Sequence, residues 1–433
     1  MYVYIVKGDV EVETATLWEA TSKYKRTYPL LQEHITADVV IIGGGFTGIA
    51  SSYYLQNKGV HTVVLEQHTI GWGASGRNGG MMNTGYKLSA AETIKRWGVD
   101  KAKRLDQYAL DCNKAVEEIA KKHQIDCAVR MSGHVALSKN SKKQEGFERS
   151  KELIAKHFGR DVKVLTGAAL QEEINTDYYK VGLMDPLSYQ FQPLDYVRGL
   201  AEVVHDLGAE IYEQTKAIDI QKNGNTFTVT TENGIVTAKE LIFATDGYSE
   251  KITPELHKGV FPLASFIIAT EPLDQETLET LIPNDRNLYD TINLVNYFRR
   301  TPDQRIIFGG SGIGYPARQA FKDELYMLLT SVFPQLKGVS IDYFWGGIIG
   351  ATVDKFPVIG RTSQGAYYSV GYTGHGASQS TLHGKLLSQC ILNEERINST
   401  FENTPLKTVP LYTNKKFLVN AANLYFRLMD KLG

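Results

Sequence analysis

A glycine-rich turn near the beginning of the chain has the residue types and spacing of a phosphate-binding loop. Gly43, Gly45 and Gly48 match the pattern GxGxxG, and Phe46 and Thr47 fill two of its variable positions. The first glycine permits a tight turn, the second lets the backbone approach a pyrophosphate, and the third lets a helix pack against a strand. A helix that begins in this turn directs free N–H groups and a partial positive charge at the phosphates.

An acidic residue lies where a dinucleotide would place a ribose. Glu66 follows these glycines by about 20 residues, the separation that is typical of this motif. A carboxylate there accepts hydrogen bonds from the ribose hydroxyls and repels a 2′-phosphate. The sequence therefore predicts a dinucleotide without a 2′-phosphate, bound beside Glu66 and its neighbour Gln67.

A second glycine-rich loop follows, from Gly71 to Gly80. Its many glycines indicate a close approach of the backbone to a flat or tightly wrapped group. Its polar side chains supply donors for phosphate or ribityl oxygens. The loop residues that we expect at the bound group are Gly73, Ala74, Ser75, Arg77, Asn78, Gly79 and Gly80.

Composition limits the class of protein. The 433 residues suffice for roughly two or three globular domains, and a net charge of −1 argues against a nucleic-acid partner. The three cysteines, Cys112, Cys127 and Cys390, lack the spacing of a metal site and fit a reducing compartment. The sequence carries no signal peptide and no apolar run of membrane-spanning length, so we expect a cytoplasmic protein.

The elements that would position the first motif form a βαβ unit. The continuous apolar run from Ala37 to Ile42 is typical of a strand that is buried on both faces of a parallel sheet. Ile49 to Asn57 has helical character, Gly59 suits a helix C-cap, and His61 to Leu65 reads as a second strand. Apolar residues at helical spacing predict an amphipathic helix over 100–123.

Strand patterns dominate much of the remaining chain. Asn233-Gly234 predicts a hairpin between strands at 226–231 and 235–238. Residues 260–345 alternate apolar and polar residues, which indicates an antiparallel sheet. A buried strand at 367–370 is followed by a glycine-rich turn and another helix.

The α/β pattern is discontinuous along the chain. It predicts an α/β fold in which a Rossmann-like dinucleotide domain is interleaved with an antiparallel-sheet (α+β) substrate domain. The dinucleotide domain is assigned to residues 36–90, 185–250 and 350–395. The substrate domain is assigned to residues 91–184 and 251–349. The remaining parts are an N-terminal extension over the first domain, 1–35, and a C-terminal packing segment, 396–433.

The segment from Asp38 to Glu66 and several later motifs resemble the D-amino-acid oxidase (DAO) family of flavoproteins. These motifs are the GASGRNGG loop at 73–80, Ala244-Thr-Asp-Gly-Tyr248, Trp345-Gly-Gly-Ile-Ile-Gly-Ala-Thr-Val-Asp354 and Gly371-Tyr-Thr-Gly-His-Gly376. The resemblance covers most of the chain and implies FAD as the cofactor.

The resemblance also implies where FAD lies. Gly79 and Gly80 would lie near the isoalloxazine ring, and the backbone from Thr215 to Ala217 would touch the adenine. The turn at 371–376 would direct N–H groups at flavin N1 and O2, where negative charge develops on reduction. The further residues assigned to FAD in this way are Ala217, Ala244, Thr245, Gly374, His375 and Gly376.

Arg77 lies where relatives with covalently bound flavin carry a histidine, so we expect dissociable FAD. His375 is a candidate for contact with the flavin or the substrate, and its alternative is a turn histidine bonded locally. Tyr297 and Arg299, on a predicted strand of the second domain, are the expected substrate wall. The sequence offers no metal site.

The implied reaction is the oxidation of a C–N bond in a small amine. Hydride passes to flavin N5, the resulting imine hydrolyses to an aldehyde, and O2 is reduced to hydrogen peroxide. Glycine and D-amino-acid oxidases of the family hold the substrate carboxylate with an arginine, whereas this chain has Ile349 in that place. Isoleucine cannot form the bidentate pair that a carboxylate prefers, which favours an amine such as a substituted putrescine.

Alternatives stay open on the sequence alone. An oxidase of glycine, sarcosine or D-amino acids would need another arginine, such as Arg299, for the carboxylate. A dehydrogenase would use an electron acceptor other than O2. A protein of a different class would bind flavin as a redox sensor or assembly partner without turnover.

Overall fold

The computed structural model describes residues 16–250, 252–312, 318–394, 401 and 405–408. The predicted N-terminal extension is thus seen from Thr16 onward, and most of the predicted segment 396–433 lies outside the described residues. Within the described residues, none of the helices combines the length and the apolar character needed to cross a membrane.

The described elements are numbered in chain order. The helices are α1 (Leu17–Thr21), α2 (Phe46–Gln56), α3 (Ala90–Lys122), α4 (Gln144–Phe158), α5 (Gly167–Gln171), α6 (Pro193–Asp206), α7 (Pro254–Gly259), α8 (Gln275–Leu281), α9 (Arg318–Val332) and α10 (Gly376–Ile391). The first strands are β1 (His34–Ile42), β2 (Thr62–Leu65), β3 (Met81–Met82), β4 (Arg130–Met131), β5 (His134–Ser138), β6 (Lys163–Thr166), β7 (Val181–Asp185), β8 (Tyr189–Gln190), β9 (Glu210–Tyr212) and β10 (Asp219–Asn223). The later strands are β11 (Thr226–Thr230), β12 (Ile235–Phe243), β13 (Phe261–Thr270), β14 (Asn287–Asp290), β15 (Asn296–Arg300), β16 (Ile306–Gly312), β17 (Ile341–Ala351), β18 (Val358–Arg361) and β19 (Tyr367–Val370).

A mixed sheet carries the predicted dinucleotide-binding elements. Its order is β10-β11-β12-β1-β2-β9, and β19 pairs with both β12 and β18. β1 runs parallel to β12 and to β2, which places Val40 beside Leu241 and Val63. The second half of β1 and all of β2 are buried, which explains their continuous apolar sequence. The predicted βαβ unit is confirmed, although its helix begins at Phe46 rather than Ile49.

The predicted hairpin differs in detail. β12 continues to Phe243, beyond the predicted strand at 235–238, because its whole length pairs with β1 while only its first half pairs with β11. Gly234 does not adopt the left-handed backbone conformation that a two-residue hairpin turn would use. A Cβ on Gly234 would lie 2.6 Å from Leu31 Cγ and 2.7 Å from the Glu33 carbonyl oxygen. Close packing against the N-terminal segment therefore requires this glycine.

A second mixed sheet has the order β17-β13-β16-β15-β14-β5-β7-β6. The antiparallel pairing predicted for 260–345 is confirmed for β13, β15, β16 and β17. The same range also contains α8 and α9, which the pattern of alternation did not predict. Phe321, Leu325 and Leu329 of α9 pack with Phe266 and Phe308 of the sheet, so these apolar residues belong to a helix that covers one sheet face.

The opposite face of this second sheet meets the dinucleotide-binding elements. Ile267 and Trp345 lie opposite each other in neighbouring strands, and both belong to the core that contains Phe46 of α2. A small third sheet, β3-β8-β4, takes β3 and β8 from segments assigned to the dinucleotide domain and β4 from a segment assigned to the substrate domain. The strands of the two large sheets fall within the segments assigned to the two domains, to within two residues at their ends.

The N-terminal segment is part of the core, where the sequence suggested an extension lying over it. Leu17 and Trp18 of α1 are 0% and 1% exposed. The Trp18 indole N–H donates to the carbonyl oxygen of Asn78 at 2.8 Å, and its ring meets Trp345 edge-on. The α1 helix therefore fixes the second glycine loop from behind.

Two glycines in adjacent hairpins provide a test of whether close packing is the reason for the glycine at position 234. Gly224 has φ +60° with no atom near a built Cβ, whereas Gly234 is sterically crowded. Asparagine tolerates the left-handed conformation, so Gly224→Asn should change the free energy of unfolding by less than about 1 kcal/mol. Gly234→Asn should lower it by about 1–3 kcal/mol through overpacking. Urea denaturation of both variants measures this, and equal losses would contradict the steric explanation.

Candidate functional site

The turn between β1 and α2 has no room for side chains. Gly43 has φ +111°, and a Cβ there would lie 2.7 Å from the Ala244 carbonyl oxygen. A Cβ on Gly48 would lie 1.9 Å from the Gly43 carbonyl oxygen. The α2 helix begins at Phe46 with Gly45 as its N-cap. The first N–H groups of a helix have no intrahelical partners, so the turn offers donors to an anion such as a pyrophosphate.

Glu66 is buried at the end of β2. Its two carboxylate oxygens accept the backbone N–H groups of Gly44 at 2.8 Å and His68 at 2.9 Å. Burial raises the pKa of the Glu66 carboxyl group, and the two amides act in the opposite direction. Because a carboxylate has about four acceptor sites, capacity for two ribose hydroxyls remains.

A cavity of about 220 Å³ opens next to Glu66, on the side where the adenine was expected. Its lining residues are Leu30, Gln67, Gln214, Thr215, Lys216, Thr231, Glu232 and Asn233. The backbone around Thr215 connects β9 to β10 and is not itself a strand. Ala217 is buried just behind this lining. The cavity and the neighbouring carboxylate fit the adenosine part of FAD.

The second glycine loop is folded by its own polar side chains. Asn78 Nδ2 donates to the carbonyl oxygens of Ala74 and Ser75, and Asn78 Oδ1 accepts the Gly80 N–H at 2.7 Å. Ser75 Oγ accepts the Phe46 N–H at 2.9 Å, which leaves its hydroxyl hydrogen for another acceptor. Asn78 therefore shapes the loop, and Ser75 attaches it to the start of α2.

Arg77 connects the loop to the second sheet. Its Nε donates to the Trp72 carbonyl oxygen at 2.6 Å, and its Nη1 to the Gly346 carbonyl oxygen at 3.3 Å. The guanidinium lies over the Trp72 ring at 4.9 Å. Burial lowers the pKa of Arg77. The loop residues Gly73 to Gly80 are thus held between α2 and β17.

Arg299 lies behind this loop, so the structure differs from the expected substrate wall at this residue. The side chain is 0% exposed. Its Nε donates to the Gly79 carbonyl oxygen at 2.7 Å, and its Nη1 and Nη2 donate to Gln190 Oε1 and the Phe191 carbonyl oxygen, each at 2.8 Å. Burial lowers the pKa of Arg299 to about 9. Arg299 thus positions the loop that contains Gly79 and Gly80.

A buried carboxylate that the sequence analysis did not single out joins the two later motifs. Asp246 Oδ1 accepts the Gly371 N–H at 2.7 Å, and Oδ2 accepts the Gly350 N–H at 2.9 Å. Burial raises the pKa of Asp246, while these amides act against the increase. The sequence signal that could have identified Asp246 is its position directly after Ala244 and Thr245, in the motif Ala244-Thr-Asp-Gly-Tyr248. Asp246 fixes the turn at 371–376 against the end of β17.

The inner face of the second sheet forms a half-exposed wall. Leu263 is paired with Ile349, and Ser265 with Gly347, in adjacent registers of β13 and β17. Because side chains alternate along a strand, Ile349 shares this face with Trp345 and Gly347. Tyr297 completes the wall, with its hydroxyl oxygen 2.8 Å from Ser265 Oγ.

Tyr297 also contacts two glycines. A Cβ on Gly79 would lie 3.1 Å from the Tyr297 ring, and one on Gly309 would lie 2.3 Å from it. The ring therefore lies directly between the second glycine loop and β16. The assignment of Tyr297 to the substrate wall stays a prediction.

His375 is the N-cap residue of α10, with Gly374 and Gly376 on either side. Among the described residues, nothing forms a hydrogen bond with its buried Nδ1 atom. Burial lowers the pKa of His375 to about 4, and the charge of Lys87 contributes to this shift. A neutral imidazole with a buried, unsatisfied nitrogen at a helix N-terminus fits a polar ligand at this end of the site.

Comparisons with known proteins agree with this geometry. The family model for FAD dependent oxidoreductases (DAO) matches residues 38–390. The gamma-glutamylputrescine oxidoreductase of Escherichia coli strain K12 is 33% identical over 97% of this chain and 99% of its own length.

Two solved structures share the fold. Glycine oxidase from Geobacillus kaustophilus has a TM-score of 0.74 and 19% identity, and the alignment covers 86% of this chain and 98% of that one. L-proline dehydrogenase from P. horikoshii has a TM-score of 0.69 and 20% identity, with coverages of 85% and 95%.

A matched pair of buried glutamates tests the ribose contact. Glu213 resembles Glu66 in accepting two backbone N–H groups, those of Ile70 at 2.7 Å and Tyr28 at 3.0 Å. Glu66→Gln should weaken FAD binding by about 1.5–3 kcal/mol, roughly 10–150-fold in Kd, because a charged hydrogen-bond acceptor is lost. Glu213→Gln should leave Kd within about threefold. Titration of apoprotein with FAD measures both, and equal losses of affinity would place the ribose contact elsewhere.

Proposed function

The chain belongs to the DAO family of FAD-dependent oxidoreductases, and from this premise we propose that it oxidises a C–N bond in a small amine of the γ-glutamylputrescine type. The observation that carries the proposal is Ile349 on the wall that faces the candidate site. The similarity to a γ-glutamylputrescine oxidoreductase over nearly the whole chain supports the same substrate class.

FAD held by the two glycine loops would supply the oxidation, as the acceptor of a hydride from the carbon beside the nitrogen, with O2 as the final oxidant and hydrogen peroxide as its product. The protein supplies orientation and exclusion of water. Leu263 and Ile349 offer apolar contact to the carbon chain of the amine. The imine formed from the primary amine of the substrate then reacts with water to give an aldehyde and ammonia.

Tyr297 and Ser265 orient the reacting nitrogen. Their hydroxyl oxygens are 2.8 Å apart, so each group can donate to or accept from the other and from a ligand. Burial raises the pKa of Tyr297 to about 12, so the phenol keeps its proton at neutral pH. A protonated phenol can donate to the lone pair of a neutral amine.

The wall selects against an α-carboxylate beside the reacting nitrogen. A carboxylate desolvated against Ile349 without a partner costs several kcal/mol. Arg299, the alternative source of charge, is fully buried behind the second glycine loop and bonded to Gly79, Gln190 and Phe191. Both observations favour an amine over an amino acid as the substrate.

A panel of substrates tests this assignment. We expect kcat/KM for γ-glutamylputrescine to exceed that for glycine, sarcosine and D-alanine by about tenfold or more, a difference of roughly 1.4 kcal/mol in transition-state binding. Ile349→Arg should narrow the gap because it supplies a bidentate partner for a carboxylate. Ile349→Met, which changes shape without adding charge, should not. An amino acid as the best wild-type substrate would overturn the assignment.

The same panel separates the other classes of protein. Anaerobic bleaching of the flavin by an amine is expected from an enzyme, and its absence with every substrate would indicate a non-catalytic flavoprotein. Consumption of O2 at the rate of amine oxidation is expected from an oxidase. Turnover only with an added electron acceptor would identify a dehydrogenase.

The pH dependence tests the role of His375. The substrate amine reacts when neutral, so kcat/KM should rise about tenfold per pH unit between pH 6 and 9, below an amine pKa of about 10. With its pKa lowered to about 4, His375 is neutral throughout this range and contributes no titration of its own. His375→Asn should therefore keep the slope. A plateau above pH 7 that disappears in His375→Asn would show that the imidazole acts as a base.

A further inference from the structure

We propose that Lys87 and Lys355 bind a carboxylate at the far end of the substrate, remote from the reacting amine. This inference rests on the proposed amine oxidation and makes its substrate class more specific. The substrate is then an N-acylated diamine whose acyl group carries a carboxylate.

Two loops bring the lysines together. Lys87 lies between β3 and α3, and Lys355 lies between β17 and β18. Their neighbours Tyr86 and Phe356 pack against each other with 4.7 Å between ring centroids. Phe356 is fully buried, whereas both lysines are exposed. The aromatic contact therefore anchors the two loops, and the cationic side chains emerge next to each other on the solvent side.

This pair of lysines lies at the end of the candidate site where α10 begins. Gln379 in the first turns of α10 donates from Nε2 to the carbonyl oxygen of Gly85 at 3.1 Å, which attaches the loop of Lys87 to that helix. The charge of Lys87 reaches the His375 imidazole and lowers its pKa, after the larger effect of burial. Lys355 lies four residues after the end of β17, the strand that contains Ile349. A substrate whose amine lies at the wall can thus extend towards both lysines.

Neighbouring carboxylates are already bonded to other groups. Asp354 pairs with Arg96 at 3.0 Å and with Lys407 at 2.9 Å. The Glu92 carboxylate caps α3 through Ser89, and Asp290 accepts from the Asn296 backbone and side chain. Within the described part of the chain, neither Lys87 nor Lys355 forms an ion pair. The two ammonium groups therefore have no directly bonded counter-ion, and only the through-space charges of Asp290 on Lys87 and of Glu92 on Lys355 offset them.

The surroundings of Lys87 disfavour the charged form of its ammonium group. Its side chain is exposed to solvent, yet the protein atoms around it lower the pKa of the ammonium group, and the charge of Lys355 lowers it further. Two like charges at this range repel each other, and a carboxylate between them replaces that repulsion by attraction. A charge-assisted hydrogen bond to either ammonium adds to the affinity.

The chemistry of the proposed substrate class matches this arrangement. In γ-glutamylputrescine the free primary amine and the glutamyl α-carboxylate lie at opposite ends of the molecule. The wall at Ile349 receives the end without a carboxylate, and the lysines receive the end with one. N-acetylputrescine has the same amide and the same reacting amine but neither the α-carboxylate nor the α-ammonium group of the glutamyl end, so it measures the contribution of that whole charged end.

The test compares these amines in a Lys87→Gln/Lys355→Gln double variant. We expect kcat/KM for γ-glutamylputrescine to fall about 10–100-fold through KM, with kcat within about twofold, because a remote contact contributes uniform binding. Values for N-acetylputrescine and putrescine should stay within about threefold. Lys163→Gln removes the same charge from the exposed edge strand β6 and should change none of these values.

The outcomes separate this inference from the one on which it rests. Lys355→Arg keeps the charge and should keep the preference for γ-glutamylputrescine over N-acetylputrescine. If the double variant retains the wild-type ratio of kcat/KM for these two amines, the lysine site is wrong and amine oxidation stands. If none of the three amines bleaches the flavin of the wild-type protein, both proposals are wrong.

Discussion

The Asp246 carboxylate, buried between two backbone amides, is the interaction on which the rest of the candidate site depends. Its two oxygens hold Gly350 at the end of β17 and Gly371 before α10. Glycine-rich segments have no side chains with which to pack, so polar groups from elsewhere must fix their shape. Removing the carboxylate would leave buried N–H groups without partners, which costs about 1–3 kcal/mol each.

Charged side chains also fix the backbone of glycine-rich segments on the other side of the site. Glu66 accepts amides of the first glycine turn, and Arg299 donates to the carbonyl oxygen of Gly79 in the second. These buried charged side chains form hydrogen bonds with backbone groups of the two glycine loops. The Trp345 indole N–H also donates to the Arg77 carbonyl oxygen at 3.0 Å. The second glycine loop and the wall that contains Ile349 are therefore connected through β17.

Local patterns in the sequence predicted the elements whose formation depends on residues that are close together in the chain. The βαβ unit around Gly43 to Glu66 and the amphipathic helix within α3 follow from apolar periodicity and glycine spacing. The burial of Trp18, the continuous pairing of β12 and the role of Arg299 did not follow. Each depends on a partner that is distant in sequence, and neither residue type nor spacing records that partner. Arg299 is the clearest case, because an arginine in a flavoenzyme suggests an anion, whereas its acceptors here are carbonyl oxygens and a side-chain amide.

The order of strands in the dinucleotide-binding sheet has a consequence for synthesis of the protein. β1 and β2 emerge early, but β19 pairs with β12, and the turn that bonds to Asp246 begins only at Gly371. Translation at about 5–20 residues per second needs roughly 20–75 s to reach that point. The last part of the candidate site is thus made more than 300 residues after the Gly43 turn. A nascent chain that ends before Gly371 has the Gly43 turn and Glu66 but lacks the turn that bonds to Asp246, so the complete site can form only after that turn has been synthesised.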